Sequence, residues 1–143
     1  MSQPLDRQVG GSHYKGLKIQ PLELVVANGL GFCEGNIVKY TTRFRDKSGV
    51  EDLRKVEHYI ELHFQMVSKE PWWFRVTREW LSTAEHMPAI SPGEYCDANG
   101  IDDKRQRYLI SGVCFWRGID SSRYTKTSML NAVHELIQES TAG

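Results

Sequence analysis

Between Gly35 and Tyr59 the chain reads GNIVKYTTRFRDKSGVEDLRKVEHY, and its apolar positions follow two successive helical repeats. In the first, Ile37, Tyr40, Thr41 and Phe44 recur at the three-and-four spacing of one helix face, and Asn36, Lys39, Arg43 and Lys47 recur at the same spacing on another. The polar segment Asp46-Lys47-Ser48-Gly49 breaks the pattern, with a Gly able to take the left-handed conformation that closes a helix. From Val50 a second repeat sets Leu53, Val56, Ile60, Phe64 and Val67 on an apolar stripe, with Asp52, Lys55 and Tyr59 beside it. The spacing predicts a helical hairpin, about residues 31–47 and 50–67, whose two polar rows border one groove.

The flanking patterns are helical too. Gln20-Pro21-Leu22-Glu23 places Pro at a first helical position and Glu in the first turn, and predicts a short, mostly buried helix ended by Gly29. Residues 1–12, closing on Gly10-Gly11-Ser12, predict a flexible arm. After the hairpin, Ser68 to Pro71 reads as a helix start, and Trp72, Trp73 and Trp80 cluster as a packed core or a subunit interface. Ser91-Pro92-Gly93-Glu94 has the form of a capping box. Further helices are expected from about Asp103 to Trp116, ended by Gly118, and from about Thr127 to Gln138, with Met129, Leu130, Val133 and Ile137 inward. No segment alternates with a period of two, so the fold class expected is all-α. It is organised as residues 1–67, carrying the hairpin, and 68–143, an additional helical region and assembly surface.

QPLELVVANGL (20–30) and SPGEYCDANGI (91–101) share Pro, Glu and Ala-Asn-Gly in register. His13 and His86 precede the two segments, and Arg45 and Arg117, then His58 and His134, follow them at similar distances. These correspondences read either as a chance likeness or as a degenerate internal duplication, whose second copy would then lack the Gly35-Asn36 and Lys39-Tyr40 signature.

Composition narrows the function. Eighteen Lys+Arg balance eighteen Asp+Glu over 143 residues, so no global field draws the chain to nucleic acid or a membrane, and recognition by charge must be local. No apolar run reaches membrane-spanning length, the N-terminus lacks a signal-peptide core, and three widely spaced cysteines fit reduced thiols; the expected location is the cytoplasm. The spacing of Gly35 to Thr41 is wrong for a phosphate loop, and neither His58 and His63 nor the cysteines have zinc-ligand spacing, so no metal site is assigned. Glu57 and Glu61 at i, i+4 could hold Mg²⁺ or form an ordinary solvated face.

The cationic stripe carries the chemistry. Asn36, Lys39, Arg43 and Lys47 have no acid among them, and stacked like charges repel, so an external anion such as phosphate is one reading and a solvated helix face the other. His13-Tyr14 interrupts a bland stretch, either as an anchored turn or as an imidazole donor beside a flat ring for a base or phosphate.

His13-Tyr14, Gly35-Asn36-x-x-Lys39-Tyr40-x-x-Arg43, Lys47, Asp52-Leu53, Lys55 and Tyr59 together resemble the core of a small phage-encoded family. That family is catalogued mainly as a domain of unknown function and described as nucleotide kinase-like, after a T7-type phage deoxynucleoside monophosphate kinase that carries it. The resemblance covers roughly residues 10–66. It implies transfer of phosphate from ATP or a dNTP to dTMP or dGMP in the host-cell cytoplasm, without a tightly bound cofactor. The alternative is a sequestering or regulatory module that binds nucleotide without turnover and acts on host nucleotide metabolism or defence. Under the kinase reading Lys39 and Arg43 neutralise the moving phosphoryl group with Lys47 and Lys55, His13 donates a proton or hydrogen bond, and Asp52 orients a cation or accepts a proton. Tyr14, Asn36, Tyr40 and Tyr59 contact the nucleotide. One hairpin encloses little, so a site completed by a homo-oligomer is expected.

Overall fold

The computed structural model describes residues 3–71, 73, 90–116 and 121–142. Among them lie six α-helices: α1 Pro21–Ala27, α2 Phe32–Arg43, α3 Val50–Ser68, α4 Pro92–Ala98, α5 Lys104–Phe115 and α6 Lys126–Ala142. Two short 3-10 turns, Pro4–Asp6 and Ser121–Arg123, accompany them, and the described residues contain no strand. The all-α expectation holds. No described helix is long and apolar enough to cross a membrane.

The two halves share local geometry. α1 and α4 are each seven residues long with Pro at the first position, and α2 and α5 are each twelve. At both exits of the short helices Asn ends the helix and the next Gly turns left-handed, Gly29 at φ 60° and Gly100 at φ 66°. The closing bonds also match: Leu30 N–H donates to Val25 C=O at 3.0 Å, and Ile101 N–H to Cys96 C=O at 2.9 Å. Ala-Asn-Gly recurs because this C-cap needs a residue with little cost at positive φ. The two Asn side chains then cross over. Asn28 Nδ2 donates to Ile90 C=O at 3.0 Å, and Asn99 Nδ2 donates to Ile19 C=O at 2.7 Å while its Oδ1 accepts from Ile19 N–H at 3.2 Å. Each Asn thus holds the residue just before the N-cap of the other short helix.

Helices pack with their equivalents, α2 against α5 and α3 against α6. Leu24, Ile37, Val38, Leu53, Val56 and Ile60 from one unit join Tyr95, Leu109, Ile110, Met129, Val133 and Leu136 from the other in one buried cluster. The inward faces expected for α3 and α6 are largely those observed, with His63, Ala132 and Leu136 added and Phe64, Val67 and Leu130 only half-buried. Two polar contacts cross the junction: Thr42 Oγ1 and Tyr95 Oη lie 2.7 Å apart, and Gln106 Nε2 donates to Thr41 C=O at 3.0 Å. At its edge Arg45 reaches Gln106 and Asp103, and hydrogen bonds from Arg105 hold the Asp103 carboxyl down at about 2. No disulfide joins Cys33, Cys96 and Cys114, and burial pushes the Cys96 and Cys114 thiols up to about 11 and about 12.

Three local expectations are corrected. α2 stops at Arg43, not Lys47, because Gly49 N–H closes back onto Phe44 C=O at 2.8 Å and turns the chain into α3. Ser68 is the last residue of α3 and not the cap of a new helix. α1 is not mostly buried: only Pro21 and Leu24 are, while Leu22 is 58% and Val26 71% exposed. In the largely exposed arm, Leu5 C=O accepts from Gln20 Nε2 at 2.6 Å and Gln8 Oε1 from Tyr14 N–H at 2.8 Å. Trp72, Trp80, His86, Arg117 and Gly118 lie outside the described residues.

Candidate functional site

α2 buries Ile37, Val38, Thr41 and Thr42, which turns Asn36, Lys39, Tyr40 and Arg43 toward α3 and the arm. The pairing that organises this face spans the turn. Arg43 Nε and Nη2 donate to the two oxygens of Asp52 at 3.0 and 3.1 Å, and the pair is sealed, with side chains 12% and 0% exposed. Fork-to-carboxylate geometry of this kind is the strong form of a salt bridge. It holds Arg43 above its ordinary pKa. The remaining Nη1 donates to Tyr14 Oη at 3.3 Å. Burial raises the Tyr14 phenol, and the Arg43 charge opposes that shift.

Three cations surround one ring. Lys39 Nζ lies 4.3 Å, Arg43 Cζ 4.8 Å and Lys55 Nζ 5.1 Å from the centroid of Tyr40. Such contacts are favourable at this range and fix the cations in place. Tyr40 stacks on Tyr59 at 6.1 Å, and Phe32 meets Tyr59 edge-on at 5.8 Å, making an aromatic ladder along the α2–α3 seam. Lys55 is shared with carboxylates, 3.2 Å from Glu51 and 3.7 Å from Asp52, and the Glu51 contact raises its pKa. Lys39 has no carboxylate within ion-pair distance among the described residues.

Beside this cluster opens a cleft of about 450 Å³ between the arm, α1 and the start of α2. Its walls are apolar, from Pro21, Leu22, Val25, Leu30 and Phe32, and its polar groups are Tyr14, Gln20, Asn36 and Lys39. Volume and lining are those of a small-molecule site. Of the residues singled out from sequence, Tyr14, Asn36 and Lys39 line the cleft. Tyr40, Arg43, Asp52, Lys55 and Tyr59 form its flank. His13 sits edge-on to Tyr14 at 4.6 Å, its Nε2 3.1 Å from the Gln8 amide nitrogen. Burial lowers its pKa, assisted by the positive charges of Lys47 and Arg43. Lys47 is exposed in the turn and does not continue the stripe.

Residues 8–61 match the model of a family described as a protein of unknown function (DUF3310). The match spans the arm, α1, α2 and most of α3, and so contains the cleft and its flank. It corrects the resemblance to phage nucleotide kinases, because the matching family carries no function and nothing links it to those enzymes. No curated protein and no solved structure matches the chain.

The sequence reading has Asp52 orienting a cation, and the structure supplies the partner: Asp52 counters Arg43 from across the turn, while Glu51 pairs with Lys55 within α3. The cleft itself escapes the sequence reading, although a two-turn helix with Leu22, Val25 and Val26 around it has more apolar surface than one buried face can use. Glu57, weighed for Mg²⁺, instead faces Arg54 at 3.6 Å and His134 at 3.2 Å.

Proposed function

We propose that the cleft binds a single deoxynucleotide and that the protein acts as a nucleotide-binding module. The observation that carries this reading is Lys39, an ammonium without a nearby carboxylate among the described residues, lining a cleft whose walls are mostly apolar. A ligand with a flat apolar body and an anionic end matches that distribution. The base lies against Leu22, Val25, Leu30 and Phe32, and the phosphate meets Lys39, with Lys55 adding to the field. A charge-assisted contact of this kind is worth roughly 1.5–3 kcal/mol, enough to distinguish a nucleotide from its nucleoside by ten- to a hundredfold.

Binding without turnover is favoured over monophosphate kinase activity by two points. The cleft suits one mononucleotide, not an acceptor together with a triphosphate donor, and Asp52 is committed to Arg43 with no exposed surface. Calorimetric titration with each deoxynucleoside monophosphate, followed by incubation with labelled ATP and Mg²⁺, tests both parts. Binding without diphosphate product is the expected result. A diphosphate product would establish the kinase instead, and absence of binding to every nucleotide would remove the proposal.

A further inference from the structure

Arg43 is absent from the walls of the cleft although the residue one helical turn before it, Lys39, lines them. Its guanidinium is occupied: two donors go to Asp52 and a third to Tyr14, which is itself a wall of the cleft. Taking a phosphate in the same fork would require breaking a bidentate pair with a fully buried carboxylate, which leaves that charge only the longer contact to Lys55 at 3.7 Å. Among the described residues, the Tyr14 contact is also the one hydrogen bond that ties residues 3–19 to α2 or α3. From Tyr14 the chain of bonds continues into the arm, through Tyr14 N–H to Gln8 Oε1 and Gln8 Nε2 to the His13 ring.

We infer that Arg43 and Asp52 are positioning residues, which hold Tyr14 as a wall of the cleft and through it keep residues 8–14 in order, and do not themselves receive the anion. Asp52 aims the guanidinium, and the guanidinium aims the phenol. For its ligand readout this rests on the nucleotide reading above; for the order of the arm it rests on the hydrogen bonds alone.

The test uses the full chain with Tyr14→Phe, Asp52→Asn and the double variant, probed by dTMP and by thymidine, beside hydrogen exchange of the free protein. A wall contact is indifferent to the phosphate, so each single variant weakens dTMP and thymidine by the same factor, roughly tenfold for loss of one hydrogen bond to a charged group. Because both act through one contact, adding Asp52→Asn to Tyr14→Phe costs less than about twofold more. In the free protein, exchange across residues 8–14 accelerates in both variants while the amides of α5 and α6 keep their protection. A direct phosphate contact from Arg43 gives the opposite pattern: Asp52→Asn affects dTMP alone and its effect multiplies with that of Tyr14→Phe. That pattern, or unchanged exchange at residues 8–14 in both variants, overturns the inference. Faster exchange at 8–14 in a protein that binds neither probe supports the positioning role and counts only against the nucleotide reading. Should Asp52→Asn lose its α5 and α6 protection as well, Tyr14→Phe, which removes one hydroxyl from a half-buried ring, decides by itself.

Discussion

Asn99 and Asn28 occupy equivalent corners but make unequal bonds, so the same truncation has different costs. Asn99→Ala removes a donor and an acceptor at once, stripping both the N–H and the C=O of Ile19 of their side-chain partner. Two net hydrogen bonds at about 1 kcal/mol each give a loss of about 2 kcal/mol. For a chain of this length that is roughly 4 °C per kcal/mol, hence a fall in Tm of about 8 °C. Asn28→Ala loses its bonds to Ile90 C=O and to Leu24 C=O, but Leu24 C=O keeps the backbone donor Asn28 N–H at 3.1 Å, so only about 1 kcal/mol is at stake. Asn99→Asp sharpens the comparison: a carboxylate still accepts from Ile19 N–H but faces Ile19 C=O with no donor, so it is worse than Ala at neutral pH. It recovers in acid as the protonated oxygen donates again. Thermal melts by circular dichroism from pH 4 to 7 read all three variants. Equal losses for Asn28→Ala and Asn99→Ala, or a fall below 2 °C for Asn99→Ala, would refute the assignment of these bonds as the clasp between the two units.

Lys39→Ala lowers Tm by no more than about 4 °C, since it gives up no ion pair among the described residues and only a cation–π contact of about 0.5–1 kcal/mol with Tyr40, but lowers dTMP affinity ten- to a hundredfold in calorimetric titration. The Asp103 carboxyl, at about 2 in the fold against an ordinary value of 3.8, favours the folded state at pH above 3.8 and loses that contribution as pH falls toward 2. Chemical denaturation from pH 5 to 2 therefore shows about 2 kcal/mol of acid lability that Asp103→Asn abolishes. A Cβ on Gly112 would fall 2.4 Å from Met129 Sδ and 2.7 Å from its Cε, so Gly112→Ala costs about 1–3 kcal/mol in melts and Met129→Ala in the same chain relieves the clash.

The parts of this fold that rest on local rules were legible. α3 and α6 are long enough for a three-and-four stripe to define an inner face, and Ala-Asn-Gly announced two identical C-caps because the left-handed Gly is a requirement of the next residue alone. α1, at seven residues, has too few turns to separate an inner face from an outer one, so the expectation of a mostly buried helix misses the exposure of Leu22 and Val26. Asp52 was placed in a polar row by its helical register, yet its partner Arg43 lies across the turn, at a separation no helical period encodes. The cleft depends on Tyr14, Leu22 and Lys39 meeting from three segments. Lys39 and Tyr14 were flagged by residue type, but the apolar walls that make the cation informative came only from packing.

The crossed Asn contacts have the reciprocity of an isologous interface: position 28 reaches the residue before α4 as position 99 reaches the residue before α1. α2 on α5 and α3 on α6 complete the same relation, like surface against like surface. This polypeptide is thus a homodimer-like assembly written on one strand, in which tethering makes the second unit's effective concentration a property of the chain. The polar groups of the cleft are not repeated in the second unit, where the positions of Asn36, Lys39 and Tyr40 are held in α5 by Tyr108, Ser111 and Gly112. The family match ends at residue 61, before the second unit begins. A chain with the first unit alone would leave Ile37, Val38, Val56 and Ile60 without the cover they have here, and two such chains meeting about a twofold axis would each bring the Asn36, Lys39 and Tyr40 set to the assembly.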